Sequence, residues 1–175
     1  MEIRLVRTDE HERLGEVTVA AYAAINPAEF DDDLLDYQIE LRDVAGRAAG
    51  ADVLVAVDGE GTVLGGVTYV GDPSSPSAEF DEPDAAGIRM LAVVPEAQGQ
   101  GVGEALARAC IDRALSRGRA QIVLHSTHWM TAAHRLYQRL GFRPDPAYDR
   151  EIAPGFTLLG FRLRLDDNPP TAPPG

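Results

Sequence analysis

An apolar run passes through a glycine-rich turn straight into a helical pattern at Leu91-Ala92-Val93-Val94-Pro95-Glu96-Ala97-Gln98-Gly99-Gln100-Gly101-Val102-Gly103-Glu104-Ala105, and few folds accommodate that junction. Ile88 to Val94 is apolar nearly throughout, as expected of a strand covered on both faces, and Pro95, which has no N–H, ends its ladder. From about Val102 to Arg117, Leu106, Ala109, Cys110 and Ala114 share one helical face, with Gly118 just beyond. A helix start leaves unpaired N–H groups facing the turn, its dipole adds partial positive charge, and glycines without Cβ let an anion approach the backbone. The junction therefore suits a diphosphate. Spacing then separates the phosphate folds. A P-loop needs Lys and Ser/Thr after its last glycine, where Glu104 and Ala105 stand. A dinucleotide fingerprint needs G-x-G-x-x-G, and Gly103 falls one residue early for it.

The strand-helix pattern occurs again directly downstream. Ile122 to His125 reads as a buried strand, and Met130, Ala133, Tyr137 and Leu140 line one face of a helix that Gly141 stops. The β-α-β unit so formed is expected to be a right-handed parallel crossover. Upstream, Ile3 to Val6 reads as a strand, and Asp9 with Glu12 as a capping box for a helix carrying Leu14, Val17, Ala21 and Ile25. A single second helix is expected along residues 33–48 through Tyr37, Leu41, Val44, Ala45 and Ala48, with Gly50 past its end. Val53 to Val57 and Thr62 to Val70 flank Asp58-Gly59-Glu60-Gly61, the composition of a four-residue hairpin loop. Residues 71–87 are acidic and turn-rich and read as a long surface loop, and Leu158 to Leu165 as the last strand. The order predicts the α/β class (an α+β mixed sheet), with six to seven strands flanked by about four helices. One domain is expected over residues 1–165, followed by a disordered proline-rich tail over 166–175.

Composition narrows the function classes. A chain of 175 residues with 45% hydrophobic content is long enough to bury one ordinary core. Its one cysteine, Cys110, has no partner, so disulfides are excluded and a reducing cytoplasm is the expected setting. No stretch approaches a membrane span, and Met1-Glu2-Ile3-Arg4 begins like a strand and not like a signal peptide. A net charge of -12 works against nucleic acid and favours a cationic amine as partner. No His, Cys or carboxylate spacing suits a metal, so none is expected.

Gln98-x-x-Gly101-x-Gly103 after Val93-Val94-Pro95 resembles the acyl-CoA signature of the GNAT superfamily of N-acetyltransferases, Arg/Gln-x-x-Gly-x-Gly/Ala. Ala133-His134-Arg135-Leu136-Tyr137-Gln138-Arg139-Leu140-Gly141-Phe142 is similar to the family's A-x-x-L-Y-x-x-x-G-F segment, one strand and one helix downstream. The resemblance covers residues 50–145 by motif. It implies a GNAT acyl-CoA N-acyltransferase fold and acetyl-CoA as co-substrate. Backbone amides of Gly99, Gln100, Gly101, Val102, Gly103 and Glu104 would hold the diphosphate. The exposed edge of Leu91, Ala92 and Val93 would pair with the pantetheine arm like an added strand.

The chemistry implied is acetyl transfer to a primary amine of a small molecule or peptide. It requires a neutral nitrogen, a polarised thioester carbonyl and a proton for the thiolate. By the resemblance Tyr137 is the general acid, and a backbone N–H of the 88–94 strand, nearest at Val93, polarises the carbonyl. His125 stands where some relatives carry a glutamate base, and Gly87 where another glutamate base is common. Glu79, Glu82 and Asp84 belong to the acidic loop, which reads as a solvated surface loop with attraction of a cationic amine as the alternative, and His128 and His134 read as surface residues. Met130 replaces a common asparagine, which points to an apolar or aromatic acceptor site beside Trp129. Gly87 and Met130 also keep open a non-catalytic acyl-CoA sensor. Either a monomer or a homodimer is compatible with the chain.

Overall fold

The computed structural model describes residues 1–25 and 35–166. Nine-tenths of the expected tail, 167–175, and the first two residues of the expected second helix therefore lie outside the described residues.

Eight strands and five α-helices are present among those residues: β1 (Glu2–Leu5), α1 (His11–Ile25), α2 (Leu35–Arg42), α3 (Val44–Gly50), β2 (Asp52–Val57), β3 (Val63–Val70), β4 (Ala85–Val93), α4 (Val102–Ser116), β5 (Gln121–Ser126), α5 (Thr131–Arg139), β6 (Arg143–Pro144), β7 (Arg150–Ala153) and β8 (Phe156–Arg164). The sheet runs β1-β2-β3-β4-β5-β8-β6, with β7 also on β8. Every pairing is antiparallel except β4 with β5, which α4 connects as a crossover.

Side-chain alternation along β2 shows how the layers are assembled. Leu54 and Ala56 pack with Leu106, Cys110 and Ala114 of α4, whereas Val53, Val55 and Val57 pack with Leu14 and Val17 of α1 and Val44 of α3. Both faces of the sheet are thus covered, which is why its strands are nearly continuous apolar runs.

Four expectations are corrected here. The expected capping box at Asp9 and Glu12 is replaced by Glu10, whose side chain accepts from the Arg7 N–H at 2.8 Å and also pairs with Arg4 at 2.6 Å. The single helix over 33–48 is two helices. Asp43 interrupts it because its carboxylate caps α3, accepting from the Gly46 N–H at 2.8 Å. The surface loop ends three residues early, since Ala85 to Gly87 pair in parallel with Gln121 to Val123. Finally, β6 and β7 add two short strands that no periodicity announces; both exist by pairing with β8.

Candidate active site

β4 stays paired with β3 to Val93 but with β5 only from Ala85 to Ile88, so the two central strands part beyond Ile88. The parting coincides with a bulge. Gly66 faces Ala92 and Thr68 faces Arg89, which leaves Met90 and Leu91 opposite Val67 alone. Met90 takes up the extra length in a left-handed conformation, φ +52°, which costs roughly 1–2 kcal/mol for a residue with a side chain. The outer edge of Leu91, Ala92 and Val93 consequently has no strand beside it among the described residues. Val94 donates to Leu64 O at 2.9 Å on the β3 side, so alternation turns the Val93 N–H and C=O to the open side. There Val93 O accepts from Gln98 Nε2 at 3.2 Å, which ties the first residue of the turn signature to the strand.

The glycine turn follows directly. Gly99 and Gly101 adopt φ +74° and +84°, conformations that only glycine enters freely, and Gly101 caps α4. Gln100 N–H is spent on Ala97 O at 3.4 Å, whereas the N–H groups of Gly99, Gly101, Val102, Gly103 and Glu104 have no acceptor among the described residues. A Cβ at Gly99 or Gly101 would meet nothing within 4 Å, so the space over these amides is open. Five unpaired donors around a helix start are the physical requirement for holding a diphosphate. Glu104 adds a carboxylate nearby, but Arg108 at 2.8 Å and Arg139 at 3.9 Å offset it.

On the other side of the parting lies a cavity of about 360 Å³, lined by Tyr22 and Tyr37 of α1 and α2, Met90, Ser126, Met130 and Phe156 among others. Its lining is mostly apolar. Trp129 is packed between His128 and Phe156, with ring centroids 4.5 and 5.4 Å away. Glu79 is the hub of the charges in the cavity wall, contacting Arg89 at 3.2 Å, Arg150 at 3.3 Å and His125 Nδ1 at 3.1 Å. Burial raises its pKa, but the His125 hydrogen bond and the charges of Arg89, His125 and Arg150 outweigh that and hold the carboxyl below its ordinary value.

His125 has a buried side chain, and its Nε2 lies 2.7 Å from Tyr148 O. Both nitrogens therefore face oxygen acceptors. Tyr137 is buried in the α5 face against Phe142 and Phe161, with ring centroids 5.9 and 6.0 Å away. Burial pushes its phenol well above the ordinary value, and Tyr22 across the parting adds to the rise, so it stays protonated over the working pH range.

His134 is not the surface residue that its sequence position suggests. It is half-buried against Phe161 at 5.0 Å, and its Nε2 lies 3.1 Å from Ser126 Oγ. Sequence reasoning missed this pair because Ser126 ends a strand and His134 begins a helix, and only the β5–α5 turn brings them together. The acidic loop contributes unevenly: Glu79 reaches the cavity, Glu82 accepts from Tyr148 OH at 2.7 Å, and Asp84 accepts from Gln121 at 3.2 Å. Among the described residues no group of three His, Cys, Asp or Glu is placed to hold a metal ion, and no helix is long and apolar enough to cross a membrane.

Comparison with known proteins bears on the fold and the family. The family model for the acetyltransferase (GNAT) family matches residues 14–142. The chain is 34% identical over 84 residues to N-acetylaspartate synthetase of Rattus norvegicus, covering 47% of this chain and 28% of that protein. It is 33% identical over 127 residues to a mycothiol acetyltransferase of Arthrobacter sp., covering 70% of this chain and 38% of that protein. The chain thus matches well under half the length of these curated relatives. Among solved structures, a putative acetyltransferase of Salmonella typhimurium with its cofactor acetyl-CoA superposes at a TM-score of 0.63, covering 100% of this chain and 98% of that one at 23% identity.

Proposed function

The chain belongs to the acetyltransferase (GNAT) family, and from that premise we propose that it carries the acetyl group of acetyl-CoA to a primary amine of a small molecule or peptide. The observation that carries this reading is the row of five unpaired amides from Gly99 to Glu104, continuous with the open edge of Leu91 to Val93 and ending at the cavity. The acetyl-CoA named with the Salmonella structure supports the same co-substrate.

In this reading Gly99, Gly101, Val102, Gly103 and Glu104 donate to the diphosphate, while Gln100 shapes the turn. Leu91, Ala92 and Val93 supply the strand edge for the pantetheine, and the Val93 N–H polarises the thioester carbonyl. Tyr137 donates its proton to the departing thiolate, which its raised pKa permits at every working pH. We assign His125 a positioning role in place of the base that its sequence position suggests. With Glu79 on one nitrogen and Tyr148 O on the other, both of its nitrogens are already engaged and neither faces an open position for an ammonium, and it holds the acidic loop and residue 148 against β5.

The test is direct. Purified protein is incubated with acetyl-CoA and a panel of α-amino acids, diamines, amino sugars and peptides with free N-termini, and CoA thiol release is followed. Amine-dependent thiol release with acetylated product is expected; saturable CoA binding without release on any amine would replace the transferase with an acyl-CoA sensor.

A further inference from the structure

We propose that Ser126 and His134 form the proton-accepting pair that frees the acceptor amine, with Ser126 Oγ touching the ammonium and the His134 imidazole behind it. The inference rests on the transferase reading and names the base which that reading lacks.

Ser126 is the last residue of β5, just past the point where β4 departs, and it lines the acceptor cavity beside Thr127 and Met130. Its hydroxyl carries one proton and has two acceptors in reach, His134 Nε2 at 3.1 Å and Thr127 O at 3.4 Å. The nearer is the imidazole. His134 sits one helical turn before Tyr137, and both rings pack on Phe161, at 5.0 and 6.0 Å. The proposed base and acid are thus carried by one face of one helix, at the parting of the strands.

The ring is suited to accept. Its burial disfavours the charged form, a hydrogen bond that the ring donates to the Thr127 backbone carbonyl works the other way, and His128 adds to the lowering. The groups facing it are Ser126 at the end of β5, Thr127 and His128 from the following loop, Phe161 from β8 and Tyr137 on its own helix. No carboxylate among the described residues pairs with it. The surroundings thus favour the neutral ring, and in the tautomer with its proton on Nδ1 the Nε2 lone pair faces Ser126 Oγ.

The protons balance. An N–H bond of the bound ammonium breaks as Ser126 Oγ takes that proton, and the Ser126 proton moves to Nε2, leaving an imidazolium whose half-buried edge passes it to water. The neutral nitrogen then attacks the thioester carbon and the C–S bond breaks. Tyr137 protonates the sulfur and regains the second proton that the nitrogen loses on becoming an amide.

The test uses His134→Gln and Ser126→Ala, each assayed with an alkylamine acceptor and with the alkoxyamine analogue of that acceptor (R–O–NH2), whose weakly basic nitrogen is already neutral at pH 7. For the alkylamine, kcat/KM is expected to fall about 10²-fold at pH 7 in both variants. Their profile should then climb tenfold per pH unit toward pH 9, because only pre-formed free amine reacts. With the alkoxyamine the loss should stay within about fivefold, by the same reasoning that no proton has to be removed before attack. CoA-induced thermal stabilisation checks that the variants fold. Equal losses on both acceptors with an unchanged pH profile, or wild-type rates in Ser126→Ala, would overturn the pair. A wild-type protein that releases no thiol with any amine would overturn the transferase reading itself, and the pair with it.

Discussion

His125 Nδ1 stands 3.1 Å from Glu79 Oε2. This contact joins β5 to the acidic loop, and because Glu79 also meets Arg89 of β4 and Arg150 of β7, one carboxylate ties four segments together around the acceptor cavity. Arg89 in turn reaches Glu40 of α2 at 3.1 Å, which extends the network to the cavity's opposite rim.

Glu79→Gln should therefore destabilise the fold by about 1–3 kcal/mol at pH 7, since Arg89 and Arg150 lose their counter-charge and His125 Nδ1 loses its carboxylate partner. The acid dependence follows from the depressed pKa of Glu79 relative to the ordinary 4.5. Its contribution is fully present above that value and is lost as pH falls through the lower folded value. Urea titrations at pH 7, 5 and 3 should show the wild-type advantage over Glu79→Gln shrinking only in the most acidic series. An advantage that is constant with pH would mean the carboxylate charge is not what stabilises.

Most of this architecture can be read from the chain because its decisive signals are local. The glycines at 99 and 101 sit at positive φ, and the stripe of Leu106, Cys110 and Ala114 is buried as its spacing demands. What escaped is non-local. Ala85 to Gly87 have little strand propensity and pair because Gln121 to Val123 lie alongside; at Gly87 a Cβ would press on Phe80, so the glycine admits that ring. Pro144 and Arg143 form a strand through Phe161 and Arg162 alone. Asp43 is an ordinary polar residue in a helical pattern until its carboxylate turns back on the Gly46 N–H. At the site, the turn and Tyr137 are motif positions, whereas His134 and Ser126 carry no motif and become a pair only through tertiary packing.

The two glycines of the turn signature make different demands. Gly101 stands at φ +84°, so Gly101→Ala carries about 1–2 kcal/mol of backbone cost and tilts the amides that follow. At Gly103 a Cβ would make only ordinary contacts, 3.6 Å from Leu136 Cδ2 and 3.7 Å from Val93 Cγ2. Calorimetric titration with CoA should show affinity weakened about tenfold in Gly101→Ala and changed less than threefold in Gly103→Ala, the two factors corresponding to about 1.4 and 0.65 kcal/mol. The reverse order would mean that the diphosphate does not lie over this turn.

Tyr137→Phe removes one oxygen and leaves the ring among Phe142 and Phe161. A general acid contributes typically 10²–10⁴-fold, so kcat should fall by about 10² or more while CoA affinity and melting temperature stay near wild type. A fall in melting temperature with kcat preserved would instead make this phenol a packing residue.

Cys110 bears on how all these rates are measured, because thiol release is read with disulfide reagents. The side chain is fully buried in α4, and that burial pushes its thiol up to about 12. Only the thiolate attacks a disulfide reagent, and a thiol so placed is both protonated and sheltered at pH 8. Folded protein without acetyl-CoA should therefore release no colour from the reagent over the minutes of an assay and one equivalent after denaturation in guanidinium. Any colour that grows on mixing with acetyl-CoA and an amine then comes from CoA. A fast equivalent from the native protein alone would show that α4 opens, and with it the helix start that presents the amides of Val102 to Glu104.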